Sequence, residues 1–122
     1  MEIGLSHTSK LFVDESLTAE AMGSGDMPVL ATPALVALME NAAMLSVKNV
    51  LSDDETTVGG RIDITHLKPT KIGNEVLATA ELICVEGRKL TFQVVAYQGE
   101  TLIGKGEHIR FVVNRRHFLE NL

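Results

Sequence analysis

Apolar residues crowd one stretch of this chain so densely that it has no polar face. Across residues 34–50 they fall at Leu35, Leu38, Met39, Ala42, Ala43 and Val47, with Val36, Met44 and Leu45 filling the angles between. A helix apolar on nearly every side needs other elements around it, because a surface helix keeps a polar stripe for solvent. Its start is marked by Ala31-Thr32-Pro33. Threonine is a good helix cap, and proline suits the first helical position, where its missing N–H has no intrahelical partner. The spacing therefore predicts Thr32 capping a helix. The polar turn Leu51-Ser52-Asp53-Asp54 predicts the stop, and the Gly, Ser, Asp and Pro of residues 23–28 predict a loop leading in.

After the helix the pattern changes to extended stretches at residues 56–67, 75–85, 89–97 and 101–113, separated by short turns at 71–74, 86–88 and 98–100. Links this short make neighbouring strands antiparallel, so the expected product is a meander. Ahead of the helix, residues 8–13 read as a further strand and 17–22 as a helical turn. One long apolar helix with about five antiparallel strands is an α+β arrangement, and the economical packing wraps the sheet around the helix, the hotdog fold. One such domain accounts for residues 1–122. Its open strand edges favour pairing with a second copy, so a homodimer or a dimer of dimers is expected.

Composition removes several functions. With 45% hydrophobic and 22% charged residues the chain has the apolar surface for a packed core, which excludes disorder. A net charge of −5, with the Lys and Arg scattered apart from Arg115-Arg116, excludes a nucleic-acid partner. The single cysteine, Cys84, cannot form an internal disulfide, and its neighbours Leu82, Ile83 and Val85 suggest a core position in a reducing compartment. The first residues, Met1-Glu2-Ile3-Gly4, lack the character of a signal peptide, and Thr32, Glu40 and Asn41 interrupt the longest apolar stretch. A cytoplasmic protein with no membrane partner is expected. The four histidines and one cysteine show no zinc spacing, and Gly23-Ser24-Gly25 lacks the context of a phosphate-binding loop, so neither metal nor cofactor is expected.

Three polar residues carry the candidate chemistry. Glu40 is the only ionisable side chain between Thr32 and Lys48, and a carboxylate on an enclosed helix needs something specific to hold it, whether a ligand groove or a buried polar pair. In the next strand the even positions Val58, Gly60, Ile62 and Ile64 are apolar or small while Arg61, Asp63 and Thr65 alternate with them, so His66 should face inward. Alone, an inward histidine is more commonly a core residue tied to a backbone carbonyl. The coincidence of a hydroxyl, a carboxylate and an imidazole around one cleft is what acyl chemistry requires: a nucleophile or base, a positioning group and a proton donor. Gly59-Gly60 would let a backbone approach a ligand, or mark a bulge. Of the rest, His108 reads as a solvated strand position, Arg110 on the same face stays open, and His7 and His117 lie near the ends.

These residues also look familiar. Gly23-Ser24-Gly25-Asp26-Met27-Pro28-Val29-Leu30-Ala31-Thr32-Pro33, running on to Leu38-Met39-Glu40, with Thr56-Thr57-Val58-Gly59 and Thr65-His66, resembles the fluoroacetyl-CoA thioesterase-like family of hotdog proteins. Val85-Glu86-Gly87-Arg88 and Gly106-Glu107-His108-Ile109-Arg110 extend the likeness over most of the chain. The resemblance implies a catalytic set of Thr32, Glu40 and His66, substrate contacts from Gly59 and Arg110, and homodimers with the acyl-CoA site near the subunit interface. Where that family's fluoroacetyl-specific enzyme carries phenylalanines ahead of the threonine, this chain reads Met22-Gly23-Ser24-Gly25-Asp26-Met27. The expected function is therefore general hydrolysis of a short or medium acyl-CoA, with Glu40 as nucleophile or as general base. The alternatives are a non-catalytic acyl-CoA binding or sensing protein and an enoyl-CoA hydratase.

Overall fold

The long apolar stretch forms helix α2, Thr32–Val47, followed by a single 3-10 turn over Lys48–Val50. In the computed structural model, which describes residues 1–122, it follows strand β1 (Ser6–Phe12) and the short helix α1 (Ala19–Met22). Strands β2 (Glu55–His66), β3 (Glu75–Glu86), β4 (Lys89–Gln98) and β5 (Thr101–Asn114) come next, and a terminal helix α3 (Arg115–Glu120) closes the chain. The start of α2 differs from expectation by one residue. Ala31 is the cap, with extended backbone and no side-chain bond, and Thr32 already lies in the first turn with Pro33 behind it. The Thr32 hydroxyl is thereby free to bond outside its own helix. None of the helices is long and apolar enough to cross a membrane.

The five strands form one antiparallel sheet in the order β1-β3-β4-β5-β2. Only β3, β4 and β5 make the expected meander. Strand β2 pairs with β5 instead of β3, so residues 67–74 carry the chain from one edge of the sheet to a position beside β1. That crossing is anchored on the loop before α2: Leu30 N–H donates to the Thr70 carbonyl at 2.8 Å, and Val29 bridges Lys71. The backbone groups of two otherwise unpaired loops satisfy each other, an obligation that turn composition does not reveal.

Helix α2 lies on the concave face, mainly against β1 and β3, with Leu35, Met39, Ala42, Ala43 and Val47 fully buried. It is not enclosed all round. Thr32, Pro33, Ala37 and Asn41 remain exposed along one strip, and Glu40 and Met44 are half-buried beside it. A single curled sheet covers one side of a helix, and the strip opposite needs another partner or stays wet. Beneath the helix the strands present small residues. Ala78, Ala80 and Ala96 are fully buried there, and a Cβ on Gly104 would stand 2.9 Å from the Leu35 Cδ2.

Two bulges alter which residues face the helix. One falls between Leu82 and Cys84, so Cys84 ends half-exposed rather than in the core. The other falls between Gly59 and Arg61 and inserts Gly60 as an extra residue. Inward positions in β2 are consequently Thr57 and Gly59 before the bulge and Ile62, Ile64 and His66 after it, instead of one unbroken even series. Gly60 faces the other way, against the ring of Phe111, where its Cβ would overlap Phe111 Cε2 and lie 2.9 Å from Cδ2.

The glycines of β5 differ in what confines them. A methyl at Gly106 would meet the Asp63 carbonyl and stand 2.6 Å from the Ile64 Cα, whereas at Gly104 it meets the mobile end of Leu35. Gly106→Ala is expected to lower the unfolding free energy in urea by about 2 kcal/mol or more, and Gly104→Ala to change it by less than about 1 kcal/mol. Equal midpoints for the two variants would contradict this packing.

Candidate active site

Two polar clusters lie on the uncovered strip of α2. At its first turn the Thr32 Oγ1 is 2.7 Å from Nδ1 of His66, the last residue of β2. The pair borders a groove of about 400 Å³ whose walls include Met27, Leu30, Leu67 and Lys68. The His66 Nε2 is buried without a hydrogen-bond partner. Burial pushes the imidazole pKa below its usual 6.5, an effect the Lys68 backbone partly offsets. His66 is thus neutral at pH 7, and a neutral imidazole bonded to a hydroxyl can accept or return a proton through that bond.

The second cluster surrounds Glu40, two turns further along α2. Its Oε2 lies 3.9 Å from Nη1 of Arg110 and 3.9 Å from Nε2 of His108. Gly59 makes room for it: a Cβ there would stand 2.8 Å from that carboxylate oxygen. Arg110 is buried and held on three sides, with Nε donating to Thr57 Oγ1 at 2.8 Å, Nη2 to the Thr57 carbonyl at 3.0 Å and Nη1 to His108 Nε2 at 3.1 Å. Desolvation lowers the Arg110 pKa and the Glu40 charge raises it in part, but a guanidinium stays protonated at any ordinary pH. His108, only 1% exposed, has Nδ1 2.7 Å from the Arg61 carbonyl. Its pKa is lowered, first by burial and then by Arg110, against the opposing pull of the Arg61 backbone and Glu40.

Thr32 and His66 therefore meet as the spacing suggested, while Glu40 meets Gly59, His108 and Arg110. Eight residues of helix separate Thr32 from Glu40, about 12 Å along the axis, so within one chain the three do not border one small cleft. Gly60 lies on the far side of the sheet from both clusters. His108 is a correction, since it is buried rather than solvated. The signal was available in β5, where Gly104, Gly106, His108, Arg110 and Val112 alternate with Lys105, Glu107, Ile109 and Phe111, so His108 shares its face with two glycines and a valine. Thr57 had no such signal, because the bulge at Gly60 reverses the parity by which it would have been placed. No group of three or more His, Cys, Asp or Glu side chains gathers to hold a metal ion.

Comparison with known proteins bears on the family and the fold. Residues 13–116 match the family model described as fluoroacetyl-CoA-specific thioesterase. The fluoroacetyl-CoA thioesterase of Streptantibioticus cattleyicolor is 40% identical over 90 residues, a match that spans 74% of this chain and 65% of that enzyme. A solved structure of a fluoroacetyl-CoA thioesterase superposes with a TM-score of 0.91 at 33% identity, covering 99% of this chain and 94% of that one. A hot-dog-like protein from Thermanaerovibrio acidaminovorans, 21% identical, superposes with a TM-score of 0.89 over 99% of this chain and 90% of its own, a likeness of fold. The helix-wrapping sheet is accordingly a hotdog fold.

The two buried histidines tie stability to pH. Each imidazole has a folded pKa below its ordinary 6.5, so the unfolded chain takes up protons first. The stability linked to them is complete above that value and declines as pH falls below it toward the depressed folded pKa values. The unfolding midpoint should drop as the pH is lowered from about 7 through and below the ordinary imidazole range, with the His66 and His108 Cε1 protons titrating below that range. A flat midpoint over that window, with both rings titrating normally, refutes the assignment.

Proposed function

This chain belongs to the fluoroacetyl-CoA-specific thioesterase family, and from that membership we propose that it hydrolyses an acyl-CoA thioester to a carboxylic acid and free CoA, using Thr32, His66 and Glu40. The observation that carries this reading is the Thr32–His66 hydrogen bond at the mouth of a groove in a fold whose family acts on thioesters. The Thr32 hydroxyl orients the thioester or the attacking water. Glu40 acts as nucleophile, giving a mixed anhydride that water then opens, or as general base on the water itself. In the anhydride route neutral His66 takes the proton released by the opening water and passes it to the CoA thiolate, and in the base route Glu40 takes that proton and His66 relays it to the departing sulfur. Gly59 and Arg110 flank the carboxylate and contact the acyl end.

The separation of the clusters supports a shared site. A thioester carbonyl cannot touch two groups about 12 Å apart on one helix. In a homodimer formed across the exposed strip of α2, the strips run antiparallel and Glu40 of one copy comes beside Thr32 and His66 of the other. Small and apolar residues on that strip, Pro33, Ala37 and Met44, suit such burial. With no aromatic residue from 22 to 27, the proposed substrate is a short or medium acyl-CoA rather than fluoroacetyl-CoA in particular. A half-exposed free thiol at Cys84 suits the cytoplasm.

Release of CoA thiol from acetyl-, straight-chain, branched and aromatic acyl-CoAs tests the activity. Glu40→Gln is expected to cut kcat at least about 100-fold on the best of them. Retention of the full rate by this variant would remove Glu40 from the chemistry, and no turnover of any thioester by the wild type would leave a binding protein. The shared site has its own test. Thr32→Ala and Glu40→Gln chains, each nearly inactive, are mixed and reassociated at random, which should restore about a quarter of the wild-type sites. Activity that stays at the sum of the two parents places each site within one chain.

A further inference from the structure

His108 takes no part in the steps above, yet it is the most completely buried histidine in the molecule and touches the network around Glu40. Its ring lies beneath α2 beside Phe92, with ring centroids 6.3 Å apart. Both ring nitrogens are engaged: Nδ1 lies 2.7 Å from the Arg61 carbonyl and Nε2 lies 3.1 Å from Arg110 Nη1. A carbonyl only accepts, and a guanidinium only donates. One state of the ring satisfies both partners, the neutral form with its proton on Nδ1 and its lone pair on Nε2. A second proton on Nε2 would set N–H against N–H and place two cations together away from water.

The nitrogen of Arg110 that His108 engages is Nη1, the same one that lies 3.9 Å from Glu40. Thr57 holds the other side of the guanidinium through Nε and Nη2. The Arg61 carbonyl, for its part, is presented at the β2 bulge, next to the inserted Gly60. A chain of contacts thus runs from the bulge through His108 to Arg110 and on to the carboxylate, opposite the backbone of Gly59.

We infer that His108 is a positioning residue: anchored on the Arg61 carbonyl, it fixes Nη1 of Arg110 from one side and so sets where the Glu40 carboxylate stands. The inference rests on the proposed hydrolysis for its kinetic consequence. Its geometry is independent of that function. A misplacement of the order of 1 Å in a reacting group is enough for a large loss of rate without loss of substrate binding.

The experiment joins kinetics to a spectroscopic readout on the dimeric or monomeric protein as purified. His108→Leu removes both hydrogen bonds at similar bulk, and its kcat is expected to fall about ten- to a hundred-fold while KM stays within about twofold. His108→Gln, whose amide both donates and accepts, is expected to recover most of that loss. In the wild type, ¹⁵N NMR of the imidazole near neutral pH should show a protonated Nδ1 and a bare Nε2. An unchanged kcat in His108→Leu overturns the inference, as does a Gln variant as slow as the Leu variant. A ring protonated on Nε2, or on both nitrogens, overturns it even if His108→Leu does not fold. If the wild type turns over no thioester, the proposed hydrolysis fails, while the NMR result still decides the arrangement of His108 and Arg110.

Discussion

The closeness with which α2 can approach the sheet governs everything else in this molecule. Helix and strand backbones come near only where the intervening side chains are small, and here Ala78, Ala80, Ala96 and Gly104 lie beneath the helix. Larger residues would hold the helix away from the strands. Leu35 and Met39 then close the gap from the helix side, with packing of crystal-like density replacing water. The same close approach lets polar side chains on the strands meet the helix edge. His66 reaches Thr32, and Arg110 comes within ionic range of Glu40, because the strands are already near.

The bulge in β2 has a second structural consequence. By inserting Gly60 it reverses the alternation of the strand, so that Gly59 faces α2 on one side of the bulge and Ile62, Ile64 and His66 face it on the other. Were Gly60 paired in regular register instead of bulged, Gly59 and His66, seven residues apart, would point to opposite faces of the sheet. One strand thereby serves both polar clusters. The electrostatic settings of the two ends differ. His66 is half-buried with one unpartnered nitrogen, whereas His108 and Arg110 form a desolvated pair with every near neighbour engaged. The first is suited to moving a proton and the second to holding a charge in place.

Polar groups on the exposed strip of α2 give the fold an incomplete look as a single chain. The helix presents Pro33 and Ala37 to solvent beside Thr32 and Glu40. In the homodimer proposed above, apolar burial and completion of the site draw on this same surface, which would couple association to the assembly of the chemistry by position on one helix.

Local pattern determined much of this. The density of apolar residues from 34 to about 50 defined the helix, extended stretches between turn signals located the strands to within a residue or two, and the isolation of Glu40 in an apolar helix marked it as unusual. These features depend on neighbours in the chain, which a sequence displays directly. Other features were decided only by the tertiary structure. The pairing of β2 with β5 rather than β3, the transfer of the cap from Thr32 to Ala31 and the burial of His108 all depend on partners distant in sequence. The bulges at Gly60 and Ile83 moved Thr57 inward and Cys84 outward, since one inserted residue reverses every later side chain. Whether a polar residue is a surface ornament or part of a buried network is settled by which groups satisfy its hydrogen bonds, and those groups are brought near only when the sheet closes on the helix.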